Sequence, residues 1–394
     1  MMSSDRSSSR EKGPRIFISA GEPSGDRIGA AFIRAFRSIC PDATFIGIGG
    51  REMQKEGQEV VSDLTRHAAM WFLKSLMLIP RMARLLRKCR RVLDLEKPDA
   101  VIVIDYPGFH FYLMREAKRR KIPSIYYVTP QIWAYNPYRA IKLRKMVDQA
   151  LVVLPFEEAF LEARGIPTKY VGHPLMDDLR AEWGEELPPA DENPPAVLGV
   201  LPGSREQEVV ASLPHIVRAA RRIRERDPDV RIMASASRPE LKARIEAALR
   251  PTGIPFEILD GQTGRVLRSS RLALVTSGTT TLEGVFHTTP MLVLYRIPAI
   301  SYWASRPWRL IPHIALPNIL AGREVVPEYV LWRDEDTRFV DAAASCFREP
   351  QERERIREGL REVRSGLLAR RDASMAAAQA VREIIDQREF ARNG

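Results

Sequence analysis

The stretch RLALVTSGTTTLEG, residues 271–284, joins two patterns at one point. Its first part is a nearly unbroken apolar run, the composition of a strand buried on both faces of a sheet. Its second part supplies a glycine, three threonines and a glutamate where a helix would begin. A helix N-terminus carries unpaired N–H donors and a partial positive charge, so SGTTTLEG (277–284) has the chemistry of a phosphate cradle. A capped helix that binds nothing fits the same residues. The surrounding chain has to separate the two.

Outward from this point the same alternation recurs. RIFIS (15–19) leads through AGEPSGD into a helix expected from about Asp26 to Ile39. TFIGIG (44–49), AVIVID (100–105), SIYYV (124–128) and ALVVLP (150–155) are further strands, with helical segments between most of them. After an acidic, proline-rich stretch the pattern restarts with AVLGVLPGSRE (196–206), VRIMAS (230–235), FEIL (256–259), RLALVTS (271–277) and MLVLYRI (291–297). Strands alternating with helices imply parallel sheets with crossover helices. The expected fold class is therefore α/β, with two doubly wound Rossmann-like domains facing across a cleft. Residues 1–13 read as a disordered tail, 14–176 as an N-terminal domain, 177–195 as a linker and 196–365 as a C-terminal domain. Residues 366–394 read as C-terminal helices able to pack back on the first domain.

Ligands of such sheets bind beyond the carboxyl ends of the strands. The loops AGEPSGD, DYPGF, TPQIWAY, LPGSRE and SGTTTLE all fall there. AGEPSGD is neither GxGxxG nor a Walker A loop, so a dinucleotide site is poorly supported. Its residues Gly21, Glu22, Ser24, Gly25 and Asp26 suit either a tight turn or close approach of a sugar to the backbone. LPGSRE sets Arg205 just past a strand, where a fixed, always-charged guanidinium suits a diphosphate; a surface arginine at a helix start is the alternative. Asp105 ends a very apolar strand and is either a helix cap or a general base. His110 follows five residues on, and a lone histidine is more often structural. The acidic triplet DED (334–336) follows no strand and reads as a helix start rather than a metal site.

The chain has 394 residues, 61 basic against 50 acidic, a net charge of +11 and a sequence pI near 9.7. That balance favours anionic partners without choosing among nucleic acid, phosphorylated ligand and acidic membrane. Cys40, Cys89 and Cys346 lie far apart and form no CxxC pair, which argues against a disulfide framework or zinc site and fits a reducing cytosol. The serine-rich N-terminus has no apolar region of signal-peptide type. No run reaches the ~20 apolar residues of a membrane span. AAMWFLKSLMLIPRMARLLRKCRR (68–91) joins an apolar aromatic run to a basic one. A buried helix explains the first part. A helix in an anionic interface, inserting Trp71, Phe72 and Leu76, explains both.

Taken together, AGEPSGD, GIGG with Met53, IDYPGF, YYVTPQIWAY, VLPFEE, YVGHPL, LPGSREQE, TSGTTTLEG and LPNILAGREVVPE resemble the lipid-A-disaccharide synthases, inverting glycosyltransferases of GT-B type. The resemblance runs from about Arg15 to the C-terminal helices. It implies transfer of a diacylglucosamine from UDP-diacylglucosamine to diacylglucosamine 1-phosphate, forming a β-1,6 disaccharide. It also implies donor binding by Gly203, Ser204, Arg205, Ser277, Gly278, Thr279, Thr280, Thr281, Glu283 and Asn318, with Asp105 as base and Arg205 as the second catalytic group. Glu283 would accept hydrogen bonds from the ribose hydroxyls. Neither a cofactor nor a metal is expected, since N–H groups and an arginine can stabilise the leaving diphosphate. The expected location is cytoplasmic, peripheral on the inner face of an anionic membrane. No nucleic-acid partner is expected, and a homodimer stays open. This chain has MWFLKS (70–75), Gly108 and His110 where relatives commonly differ, all on the acceptor and lipid side. Two other classes share features with it: a UDP-sugar 2-epimerase, which would not need residues 68–91, and a non-catalytic nucleotide- or RNA-binding protein, which would use the charge directly.

Overall fold

A computed structural model describes residues 13–63, 75–134, 138–186, 195–297, 312–333 and 336–393, with backbone alone at 75–79 and 392–393. The chain divides into two compact units, Met1–Asp177 with Arg370–Gly394, and Asp178–Ala369.

In the first unit seven strands form one sheet: β1 (Arg15–Ala20), β2 (Thr44–Ile48), β3 (Glu59–Ser62), β4 (Ala100–Ile104), β5 (Ser124–Tyr127), β6 (Gln149–Val152) and β7 (Thr168–Tyr170), in the order 3-2-1-4-5-6-7. In the second, β8 (Val197–Leu201), β9 (Arg231–Ala236), β10 (Phe256–Asp260), β11 (Leu272–Thr276), β12 (Met291–Arg296) and β13 (Glu328–Leu331) run 10-9-8-11-12-13. Every pairing in both sheets is parallel. Central strands such as β4 and β11 are buried at every position, as apolar runs covered on both faces must be. Each sheet reverses its winding once, between β1 and β4 and between β8 and β11. Those two switch points are where doubly wound sheets leave a crevice at their carboxyl ends.

The ten strands expected from the sequence are present, and β3, β7 and β13 are additional. The helix after β1 spans Pro23–Ile39, so Ser24, Gly25 and Asp26 lie in its first turn rather than in a loop. A helix at Pro174–Trp183 occupies the first part of the stretch read as a linker. Its Asp177 carboxylate accepts the backbone N–H groups of Asp372 and Ala373, where the last helix, Ala373–Asn393, begins. That last helix packs on Pro23–Ile39 within the first unit.

The helix Ser75–Glu96 covers the described part of the basic segment. Leu85, Cys89 and Leu93 turn into the core of the first unit, and Arg81, Arg84, Arg87, Lys88 and Arg91 face solvent. From Pro80 onward these three apolar side chains serve the protein core, while Leu95 is exposed near the end of the helix. Trp71 and Phe72 lie outside the described residues, as does the side chain of Leu76. Among the described residues no helix is long and apolar enough to cross a membrane.

Candidate active site

The loops that leave the switch points are the ones the sequence singles out. At the first, the turn after β1 meets the turn after β4. A Cβ on Gly21 would lie 2.4 Å from Cγ of Tyr106, so only glycine permits this approach. Asp105 (φ 49°) and Tyr106 (φ 54°) both adopt the left-handed conformation immediately before the helix Pro107–Arg119. Such geometry costs non-glycine residues on the order of 1–3 kcal/mol each and persists only where surroundings enforce it. Here the carbonyl of Asp105 accepts from the Tyr126 hydroxyl at 2.9 Å and from His110 Nδ1 at 2.5 Å, while its N–H reaches the Tyr127 carbonyl at 3.3 Å. Asp105 itself is half-buried at the carboxyl end of β4.

His110 is fully buried, with Nε2 2.8 Å from Ser19 Oγ. Burial pushes its pKa down to about 4, the bond to the Asp105 carbonyl opposing it in part. Both ring nitrogens are engaged within the fold, and so low a pKa makes the ring a weak base. Glu22 is half-buried and Ser24 exposed beside this turn. Gly25 packs under it, where an added Cβ would lie 3.3 Å from Ala20 Cβ. Asp26 is spent elsewhere. Its buried carboxylate accepts N–H groups of Gly50, Glu52 and Met53, capping the helix Arg51–Lys55.

At the second switch point the turn after β8 faces the turn after β11. Gly203 (φ 112°) would bring a Cβ within 3.0 Å of Thr276 Oγ1 and still nearer the Glu208 carboxylate. Ser204 is exposed, and Arg205 stands at the N-cap of the helix Glu206–Arg224 with its side chain 65% exposed. Its Nη1 lies 2.7 Å from Glu208 Oε1. So exposed a pair is worth little by itself, and a diphosphate could displace it.

The loop SGTTTLE divides its polar groups. Ser277 Oγ donates to the Ile314 carbonyl at 3.2 Å, and buried Thr281 donates to the Gly278 carbonyl at 2.7 Å. These two hydroxyls shape the turn. The N–H groups of Gly278, Thr279 and Thr280 have no acceptor among the described residues and lie at the start of the helix Thr280–His287, with Gly278 and Thr279 exposed. Donors placed this way at a helix start are the geometry that an anion cradle would need. Glu283 is half-buried in the same helix's first turn.

Asn318 departs from its expected role. It is fully buried; its Oδ1 accepts from Val325 and Val326 N–H at 2.7 and 2.9 Å, and its Nδ2 donates to the Val326 carbonyl and Glu328. Glu328, which sequence reasoning missed, also accepts Ile314 and Ala315 N–H, so it ties the start of the helix Leu316–Ala321 to β13. Asn318 is therefore a brace within the second unit, its amide having no capacity left for a donor sugar. Asn318→Ala would strand two buried N–H donors, each worth ~1–3 kcal/mol. Thermal denaturation should show a fall of roughly 5–10 °C in Tm, with UDP affinity of the folded variant nearly unchanged. An unchanged Tm with lost UDP affinity would restore Asn318 to the ligand site.

Among the described residues no group of three or more His, Cys, Asp or Glu could hold a metal ion. Asp336, the described residue of the acidic triplet, pairs with Arg338, whose guanidinium holds its carboxyl below the usual range.

Two all-parallel sheets of this order, each with glycine-rich turns at its switch point, define the GT-B fold. Solved structures share it. UDP-GlcNAc 2-epimerase from Neisseria meningitidis bound to UDP-GlcNAc superposes with a TM-score of 0.61 at 13% identity, covering 94% of this chain and 99% of that one. A glycotransferase of kitacinnamycin gives 0.60 at 16% identity, covering 95% and 99%. The sequence is more specific. The family model for lipid-A-disaccharide synthetase matches residues 16–384. Curated lipid-A-disaccharide synthases from Myxococcus xanthus (33% identical, 94% of this chain and 98% of that protein) and Pseudomonas fluorescens (35%, 94% and 98%) align nearly end to end. The chain belongs to the lipid-A-disaccharide synthase family and is a glycosyltransferase.

Proposed function

We propose that the chain transfers a diacylglucosamine from UDP-diacylglucosamine to the 6-hydroxyl of diacylglucosamine 1-phosphate, with inversion, releasing UDP. The observation that carries this is the sorting of chemistry between the two switch points: helix-start N–H groups and an arginine in the second unit, a carboxylate in the first. The N–H groups of Gly278, Thr279 and Thr280 and the Arg205 guanidinium take the diphosphate, whose charge rises as the glycosidic bond breaks. Ser204 and Gly203 let the backbone approach it, and Glu283 takes the ribose hydroxyls. Asp105 accepts the proton of the attacking hydroxyl. The leaving group is stabilised by these donors alone, so the reading requires neither metal nor cofactor.

The acyl chains of both substrates call for access to a membrane, and the apolar aromatic run with Trp71, Phe72 and Leu76, beside the solvent-facing arginines of Ser75–Glu96, supports docking on the anionic inner face. Co-sedimentation with vesicles should require anionic lipid, weaken with salt and fall when those three residues become serine. Binding that ignores all three changes would leave the segment without a membrane role.

Incubation with both lipid substrates in the presence of EDTA, followed by mass spectrometry, should reveal the tetraacyl disaccharide phosphate and UDP. Absence of that product, together with detergent-free epimerisation of UDP-GlcNAc, would favour an epimerase instead.

A further inference from the structure

We propose that His110 is a positioning residue: with Tyr126 it clasps the peptide carbonyl of Asp105 and so fixes the direction of that residue's carboxylate. The inference rests on the reading of Asp105 as the base.

The bonding chemistry is determinate. A carbonyl oxygen only accepts, so His110 Nδ1, 2.5 Å from it, must carry the ring proton. In the neutral ring Nε2 is then an acceptor, and Ser19 Oγ, 2.8 Å away, donates to it. The Tyr126 hydroxyl donates to the second lone pair of the same carbonyl at 2.9 Å. Ser19, His110 and Tyr126 are all 0% exposed. A buried chain thus runs from the end of β1, through the imidazole, to the end of β4, with β5 closing it from the other side. Its focus is one peptide group, flanked by Asp105 and Tyr106, both left-handed. Without two donors on that oxygen the peptide is free to rotate toward an unstrained conformation, and the Asp105 side chain would swing with it. A base must lie within hydrogen-bond reach of the proton it takes, and displacement by about 1 Å can cost ~10²-fold in rate.

Amide substitutions separate this role from bulk packing. The amide nitrogen of Asn falls near the position of Nδ1, whereas that of Gln falls near Nε2 and cannot reach the Asp105 carbonyl. His110→Gln should lower kcat roughly 10–100-fold, with KM for both lipid sugars within about threefold of wild type. His110→Asn should stay within about threefold in kcat. In an Asp105→Asn background His110→Gln should cost nothing further, because it acts through the missing carboxylate. The acidic limb of the pH–kcat/KM profile should persist in His110→Asn; its loss would make His110 itself the base and overturn the proposal. Tyr126→Phe keeps the ring and removes one donor, so its kcat should also fall, by roughly 3–30-fold, and it decides the matter if His110→Gln does not fold. Wild-type kcat in folded His110→Gln or, failing that, in Tyr126→Phe, beside an inactive Asp105→Asn, overturns the clasp alone. Wild-type kcat in Asp105→Asn overturns the assigned base and the clasp with it.

Discussion

Asp105→Asn should cut turnover by ~10²–10⁴-fold while leaving UDP binding nearly intact. The acceptor's 6-hydroxyl is far too weakly acidic to ionise at neutral pH, so the proton must leave as the new bond forms. Asparagine keeps the shape of the side chain and removes its basicity. The backbone of Asp105 is held by Tyr126, His110 and the Tyr127 carbonyl, none of which requires the carboxylate, so the variant should fold normally. Steady-state kinetics at saturating substrate will show it. A variant that turns over normally removes Asp105 from the chemistry, and His110 cannot replace it while its ring remains buried and doubly bonded.

Arg205→Ala is expected to lower turnover by roughly two to three orders of magnitude, from the loss of ~2–4 kcal/mol of stabilisation where diphosphate charge develops. Stability should scarcely change. The side chain is largely exposed and its partner Glu208 also accepts the Arg205 backbone N–H, a bond that survives truncation. A folded Arg205→Ala enzyme with near-normal kcat would take the residue out of the site. Arg205→Lys should recover only part of the loss, since a point charge lacks the guanidinium's fixed fork.

What was legible in the sequence divides along physical lines. Strands buried on both faces, such as AVIVI (100–104) and LALVT (272–276), announce themselves as apolar runs. The three strands not foreseen, β3 (EVVS), β7 (TKY) and β13 (EYVL), are edge strands of three or four residues, where one side lacks a neighbour and polar residues are tolerated. The turns at the switch points were legible because glycine and small hydroxyl residues directly after a strand have few other uses. The division of labour inside them was not. Asp26 finds its acceptor role 24 to 27 residues later, and Asn318 finds its partners 7 to 10 residues on, so neither could be told from a ligand contact by spacing. The same holds for His110, whose task depends on Ser19, distant by 91 residues and brought near only by the adjacency of β1 and β4. Helix Pro174–Trp183 was not legible because Asp178 and Glu182 are exposed and the proline-rich residues that follow give the stretch the composition of a loop.

In the proposed reaction the tasks are separate: the second unit holds the nucleotide and the first supplies the base. Calorimetric titration of UDP into wild type, Asp105→Asn and Arg205→Ala tests it most directly. Asp105→Asn should bind UDP as wild type does, and Arg205→Ala should bind roughly 10–100-fold more weakly, the worth of one charge-assisted hydrogen bond. Equal UDP affinity in all three proteins, or a loss confined to Asp105→Asn, would contradict it.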